Sequence, residues 1–302
     1  MNNVYISSYA LALKATDSKL DFDSALNMLN QFLLSVPDYN NKIVNSDILE
    51  YSLNSLSLQE ILFQISNSSS PEYAELLKEF YNVISRFQSD ITTAAAIEES
   101  NQADPGNFFS FYTQGIIIPG VSHNIHVDSN NKLYELNYQN LHNYPIEASS
   151  FVKRAKLLFK NLSFHKDIHI HLAQTKNGGL NSFSKEFARA LLALHNVMPH
   201  LSTGGTEADL ILIRQETSKT GNSMDCTRQG SNKKGLVVDF EVTDVNKNTH
   251  EISNLNCEFH LKIDFNNAGK RVPPGQYKRV YFGLPIIQNK RYIALLRLGD
   301  HY

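Results

Sequence analysis

Three segments near the end of the chain decide how it is read: Cys257-Glu-Phe-His-Leu-Lys-Ile-Asp264, Lys278-Arg-Val-Tyr-Phe282 and Arg291-Tyr-Ile-Ala-Leu-Leu-Arg-Leu298. Each is short, rich in β-branched and aromatic residues, and bounded by Gly, Pro or Asn, as strands are. In the first, Glu258, His260, Lys262 and Asp264 alternate with Cys257, Phe259, Leu261 and Ile263. A period of two puts the polar set on one face and the apolar set on the other. The spacing predicts an antiparallel sheet with one buried face and one face carrying His, Lys, Arg and Tyr.

Working outward, charge is divided along the chain. Net charge is −2 over 302 residues. The first hundred residues hold thirteen carboxylates against five basic groups, whereas the residues after Asn256 hold eight basic groups against three carboxylates. A basic end behind an acidic front points to RNA or another polyanion as partner, with the acidic part regulating or covering the basic one.

The rest of the composition excludes several classes. The hydrophobic fraction of 42% and charged fraction of 19% are those of a globular protein. Two cysteines, Cys226 and Cys257, make neither a disulfide framework nor a paired metal motif and fit a reducing compartment. No apolar run reaches the roughly 20 residues of a membrane helix, and Met1-Asn-Asn-Val-Tyr5 lacks the basic start and apolar core of a signal peptide. The expectation is a cytoplasmic protein with no membrane partner.

The first hundred residues read as helical. Ala25, Leu26, Leu29, Phe32 and Leu33 share a helix face that ends at Pro37, and Ser57-Leu-Gln-Glu60 has the form of a capping box. Ser70-Pro71-Glu72 starts a helix predicted to run to about Glu98, with Tyr73, Leu76, Leu77, Phe80, Ile84, Phe87 and Ile91 as its buried stripe. After a polar loop at 101–107 the pattern changes. Phe108–Tyr112 reads as a buried strand-like connection, Ile125–Val127 and Leu133–Leu136 as a hairpin around Asp128-Ser-Asn-Asn131, and Ile168–Leu172 as a strand. Helices follow Pro145 and Ser182, Leu210–Ile213 and Leu236–Val242 read as strands, and Gln215–Lys234 as a surface loop. The predicted architecture is α+β: an acidic helical domain over 1–104, then an α+β domain over 105–302 that ends in a mostly antiparallel, basic sheet.

Several constellations could carry chemistry. His169 and His171 on one strand face would be two metal ligands, but no third ligand completes a motif. Asp239, Glu241 and Glu258 could hold a divalent ion for a metal-dependent nuclease, although Glu258-Phe-His260 has histidine where that signature needs lysine. Neither Gly178-Gly179 nor Gly204-Gly205 has the spacing of a phosphate loop. The C-terminal sheet satisfies more of a reaction's needs. Metal-free cleavage of RNA requires a base for the 2′-hydroxyl, an acid for the leaving oxygen and cations over the phosphate. His260 and His301 are the acid–base candidates, since histidine titrates near neutrality. Lys262, Lys278, Arg279, Arg291 and Arg297 are the candidate phosphate contacts, and Tyr281 a stacking platform for a base.

These residues carry a resemblance. A strand with His and Lys, a strand reading Arg279-Val-Tyr-Phe282 and a last strand ending near His301 look like the end of RelE-type bacterial toxins. The likeness covers about the last 46 residues. In that superfamily a small antiparallel sheet, flanked by a pair of N-terminal helices, cleaves messenger RNA, usually on the ribosome. The resemblance implies a toxin or antiviral-defence effector, a nuclease and hence a hydrolase in the broad sense, with no cofactor and with Lys262, Arg279, Tyr281, Arg297 and His301 in its site. The competing expectation is a non-catalytic subunit of a larger complex, contacting its protein partner through Phe108–Tyr112 and the loop around Cys226.

Overall fold

The structure, a computed structural model, describes residues 2–11, 19–37, 40–50, 52–53, 56–67, 71–102, 108–122, 125–229 and 235–301. Ser70, the loop at 103–107, Gly230 and Tyr302 lie outside the described residues, as do the side chains of Tyr73, Leu76 and Leu77. The fold is mixed α+β, with antiparallel pairing toward the C-terminus. It divides into two compact units, Met1–Asn137 and Tyr138–Tyr302. No described helix is long and apolar enough to cross a membrane.

The first unit is organised by a strand that the helical reading passed over. β1 (Asn2–Ile6) pairs in parallel with β2 (Asn40–Val44) on one side and, across the sheet, with a strand from Phe108–Tyr112 on the other. Between them in sequence lie α1 (Lys19–Ser35), the short pair β3 (Ser52–Leu53) and β4 (Leu56–Ser57), α2 (Leu58–Ser66), α3 (Pro71–Phe87) and α4 (Thr93–Gln102). Phe108–Tyr112 is β5, and β6 (His126–Val127) completes an all-parallel sheet ordered β2-β1-β5-β6. Both faces are covered, as parallel sheets require. Val4, Ile6 and Tyr112 pack with Leu26, Leu29 and Phe32 of α1 and Phe80, Val83 and Ile84 of α3. Tyr5, Phe109 and Phe111 pack with Ala96 of α4, Ile118 and Val121.

Several expectations change here. Because β5 pairs with β1, residues 108–137 join the first unit, and the units divide at Asn137 and not at the polar loop. β5 is an interior strand, and Phe109, Ser110, Phe111 and Tyr112 are buried, so these four offer no contact surface to a partner. The long helix stops at Phe87: Ser89 N donates to the Val44 carbonyl at 3.0 Å, and α4 restarts with Thr92 Oγ1 accepting from Ala95 N. The expected hairpin over 125–136 is instead β6 followed by α5 (Asn130–Asn143). The capping box is present: Ser57 N donates to Glu60 Oε2 at 2.6 Å and Glu60 N to Ser57 Oγ at 3.1 Å.

The second unit begins with α6 (Ala148–Leu158), which buries Ala148, Phe151, Val152, Ala155 and Leu158. β7 (Leu162–Phe164), α7 (Ile168–Ala173), α8 (Gly179–Val197) and α9 (Thr206–Lys219) follow. Two apolar runs read as strands are thus helices. Ile168–Leu172 forms α7, and Leu210–Ile213 lies in α9, which buries Asp209, Leu210, Ile213 and Thr217 while Ile211 and Leu212 are exposed. A four-residue apolar run does not distinguish strand from helix, and the acidic first turn Glu207–Asp209 favours the helix. β8 (Cys226–Arg228) lies inside the expected surface loop.

A separate hairpin, β9 (Val237–Thr243) and β10 (Thr249–Asn256), precedes the main sheet. β11 (Phe259–Ile263) and β12 (Lys278–Gly283) are the first two strands expected from the sequence. The short pair β13 (Ile286–Ile287) and β14 (Lys290–Arg291) leads to β15 (Ile293–Asp300), the third. The order is β7-β15-β12-β11-β8, antiparallel except for β15 with β7. Phe259, Leu261, Ile263, Val280 and Phe282 are buried, and α7 and α8 pack on the sheet while α9 contacts β8.

Lys278, on the apolar side, is fully buried. Its Nζ pairs with Asp300 Oδ1 at 2.7 Å, donates to the Lys176 carbonyl at 2.9 Å and lies 5.0 Å from the Phe183 ring centroid. Removing one member of such a pair strands the other charge in a poor solvent. Asp300→Ala is therefore expected to cost about 2–3 kcal/mol, and Lys278→Met, which removes the buried charge itself, clearly less. Urea midpoints of the two variants check the order.

Candidate functional site

The site is the other face of the same sheet. Alternation along β11 and β12 sends His260, Lys262, Arg279 and Tyr281 to one side. Register then sets them in rows: His260 lies opposite Thr227 on β8 and Tyr281 on β12, and Tyr281 opposite Arg297 on β15. In the next row Lys262 faces Arg279, which faces Gly299.

Arg297 joins this face because of a β-bulge. Phe282 is paired with Leu295, yet Tyr281 is paired with Arg297, so Leu296 is the extra residue. Without the bulge, Leu296 would stand beside Tyr281 and Arg297 would point into the apolar layer. Re-aiming a side chain is what a bulge does.

Exposure separates the roles of these groups. Tyr281 has no exposed surface, whereas His260 is 7% and Arg279 8% exposed. Lys262, Arg297 and Tyr277 are partly exposed, and His301 is open to solvent. Tyr281 packs against His260 with ring centroids 5.3 Å apart. It is thus a wall of the site and cannot stack on a base. Tyr277 is the available ring: Lys262 Nζ lies 4.3 Å and the Arg279 guanidinium 5.8 Å from its centroid.

Arg279 is a largely buried cation. Its Nη1 donates to the Lys278 carbonyl at 3.0 Å, its Nε has no hydrogen bond, and among the described residues no carboxylate pairs with it. Burial pulls its pKa down, against the opposing pull of Tyr281, Asp264 and Tyr277. Lys262 reaches Asp264 only at 4.0 Å, and Asp264 is shared with Arg271 at 3.4 Å. An excess of cations over carboxylates in a half-enclosed site favours an anionic ligand.

His260 is held neutral. Burial, then Arg279, then His301, push its pKa down to about 4, with the Glu258 carbonyl opposing. Its Nε2 lies 3.2 Å from Thr227 Oγ1. At pH 7 it can accept a proton but has none of its own to spare. His171 stands close enough to Arg297 to feel it: burial first, then Arg297 and His165, lower its pKa.

Two expected phosphate contacts are elsewhere. Lys278 is on the opposite face in its ion pair with Asp300. Arg291, on β14, pairs with the buried Asp209 at 3.2 Å. Both are structural cations, placed by partners distant in sequence. The metal readings also fail geometrically. His169 and His171 lie two residues apart on a helix, so they point in different directions. Asp239 accepts from Asn254 N at 3.0 Å, and Asp239 and Glu241 line a cavity of about 360 Å³ with Glu251, while Glu258 pairs with Arg228 at 3.4 Å. Among the described residues no three His, Cys, Asp or Glu side chains come together as a metal site.

Tyr277 and Thr227 are the members that the sequence reading missed, and His171 was considered there only as a metal ligand. Tyr277 was legible, because it continues the alternation of Arg279 and Tyr281. The chain matches no protein-family model, no curated protein and no solved structure.

The depressed histidine sets a pH dependence. Between pH 4 and 6.5 the unfolded chain binds a proton at His260 that the folded chain refuses, so stability rises with pH over that window and is lost as pH falls through it. The contribution is on the order of 2–3 kcal/mol. Burial likewise lowers His142, His165 and His195, so their shifts act with the same sign. Urea unfolding from pH 7 to 4 is expected to show this decline, and His260→Gln, which cannot titrate, to flatten it.

Proposed function

We propose that this face binds single-stranded RNA and cleaves it without a metal, as an effector of the toxin or defence kind that the C-terminal resemblance implies. The observation that carries the reading is Arg279, a largely buried guanidinium with no carboxylate partner among the described residues, flanked by Lys262, Arg297, His260 and Tyr277.

The chemistry follows from the placement. Arg279, Lys262 and Arg297 take the phosphate, and Tyr277 stacks on a neighbouring base. His260, neutral at pH 7, accepts the 2′-hydroxyl proton as the 2′-oxygen forms its bond to phosphorus. The bond from phosphorus to the 5′-oxygen breaks, and His301 donates a proton to that oxygen. The products are a 2′,3′-cyclic phosphate and a 5′-hydroxyl, and the two histidines exchange protons with water to reset. The three cations act on the charge that builds on the phosphoryl oxygens in the transition state.

Labelled single-stranded RNA, incubated with the full chain with and without EDTA, tests this. Cleavage is expected in both, leaving cyclic phosphate ends. His301→Ala should lower the rate about 100-fold, and Lys262→Ala should weaken binding about tenfold and reduce the salt slope by about one. Both positions are partly or fully exposed, so the fold should survive. The acid limb of kcat/KM should lie near pH 4, where His260 takes up a proton, and not near 6.5. Loss of cleavage on adding EDTA, or wild-type rates in both variants, would sink the proposal.

A further inference from the structure

The second unit holds a cavity of about 360 Å³ where the β9–β10 hairpin parts from the end of β7. At one end of β9, Thr243 N donates to Ser163 Oγ at 3.2 Å, and Phe240 packs on His165 with ring centroids 5.5 Å apart. Beyond that contact the two elements separate, and Phe164, Phe240 and Ile252 supply the apolar lining of the gap. The volume lies within the range of small-molecule sites, roughly 300–1,000 Å³.

The charged lining is sorted by element. Asp239, Glu241 and Glu251 come from the hairpin, whereas Lys156 comes from α6, and His165 and Lys166 from the chain just after β7. Among the described residues, Glu241 and Glu251 have no ion pair, and neither lysine reaches a carboxylate. Asp239 engages one oxygen, Oδ1, with Asn254 N at 3.0 Å. His165 Nδ1 accepts from Asp167 N at 3.3 Å, so the neutral ring carries its proton on Nε2. An acidic side and a basic side that do not neutralise each other suit a ligand with a charge of each sign.

The hairpin register narrows the class. Asp244 N donates to the Asn248 carbonyl at 2.9 Å, one step beyond the Thr243–Thr249 pair. Hydrogen-bonded and non-hydrogen-bonded pairs alternate along an antiparallel ladder. Val242–His250 and Phe240–Ile252 are therefore bonded pairs, and Glu241–Glu251 is a non-bonded one, in which side chains stand closest. Two carboxylates so placed repel each other and favour a cation between them. In such a pair the backbone groups turn away from the partner strand. Thr243 N does so and meets Ser163. Glu241 turns its N–H and C=O the same way two residues earlier, where no strand pairs with β9. That edge is open to an added peptide backbone.

We propose that the cavity binds a short apolar peptide with free termini. Its ammonium group meets Glu241, Glu251 and Asp239, and its carboxylate meets Lys156 and Lys166. Its side chains lie on Phe164, Phe240 and Ile252, and its amide pairs with the backbone of Glu241. Three features of one cavity thus converge on a single class: separated charges of both signs, an apolar lining and an unpaired strand edge.

Amide NMR of the ¹⁵N-labelled full chain, titrated with leucyl-leucine and with its N-acetylated and C-amidated forms, tests the assignment. The free dipeptide is expected to shift the amides of Glu241 and of Phe164 to Lys166, and blocking either end to weaken binding about tenfold. Glu251→Gln should weaken the free dipeptide about tenfold and leave the N-acetylated form unchanged, since that form has no ammonium to lose. Glu251 is exposed and has no ion pair, so the thermal midpoint of this variant should be unchanged or raised. No shifts at millimolar dipeptide, shifts confined to other residues, equal affinity for free and blocked forms, or equal affinity in wild type and Glu251→Gln would each overturn the proposal.

Discussion

Strand β12 is buried along its whole length, and the chemistry of the second unit follows from that constraint. Lys278, Arg279, Val280, Tyr281 and Phe282 must each be accommodated on one side or the other, and two of them are cations. A buried cation survives only with a partner or at a site prepared for an anion. Lys278 has its partner in Asp300, under α8. Arg279, one residue on, faces the other way and has a carbonyl but, among the described residues, no carboxylate partner. The same strand thus holds one paired and one unpaired cation, and alternation decides which is which.

The bulge in β15 completes that division. It shifts the last residues of the strand by one, so that Arg297 joins His260, Lys262 and Arg279. Three cations are thus held on one face of a sheet, beside a His260 whose pKa burial and Arg279 push down. Tyr281, which the sequence offers as a stacking ring, instead fills the wall that keeps His260 desolvated.

The two units use opposite electrostatic strategies. The basic sheet presents cations in excess of carboxylates. The parallel sheet of the first unit ends in buried amide and hydroxyl groups, Ser7, Asn45 and Thr113. Asn45 shows how a short network decides an orientation: one proton on Thr93, committed to Asp47, fixes the direction of an amide two residues from that aspartate. Such a chain of donors and acceptors depends on groups brought together from β2 and α4.

The three C-terminal strands, the faces of β11, the capping box at Ser57 and the stripes of α1 and α6 were legible in the sequence, because each depends on local periodicity or on contacts a few residues apart. The parallel sheet of the first unit was not: β1 is five residues long, and its pairing with β5 joins segments about a hundred residues apart. Short apolar runs such as Ile168–Leu172 and Leu210–Ile213 fit either period, and only packing settles them as helices. Residue type marked Lys278, Arg279, Arg291 and Arg297 alike as basic. Tertiary structure decided that Asp300 and Asp209 neutralise the first and third, while a single bulged residue brings the fourth onto the same face as the second. Alternation is written in the sequence, but the identity of each charge's partner exists only once distant strands are in register.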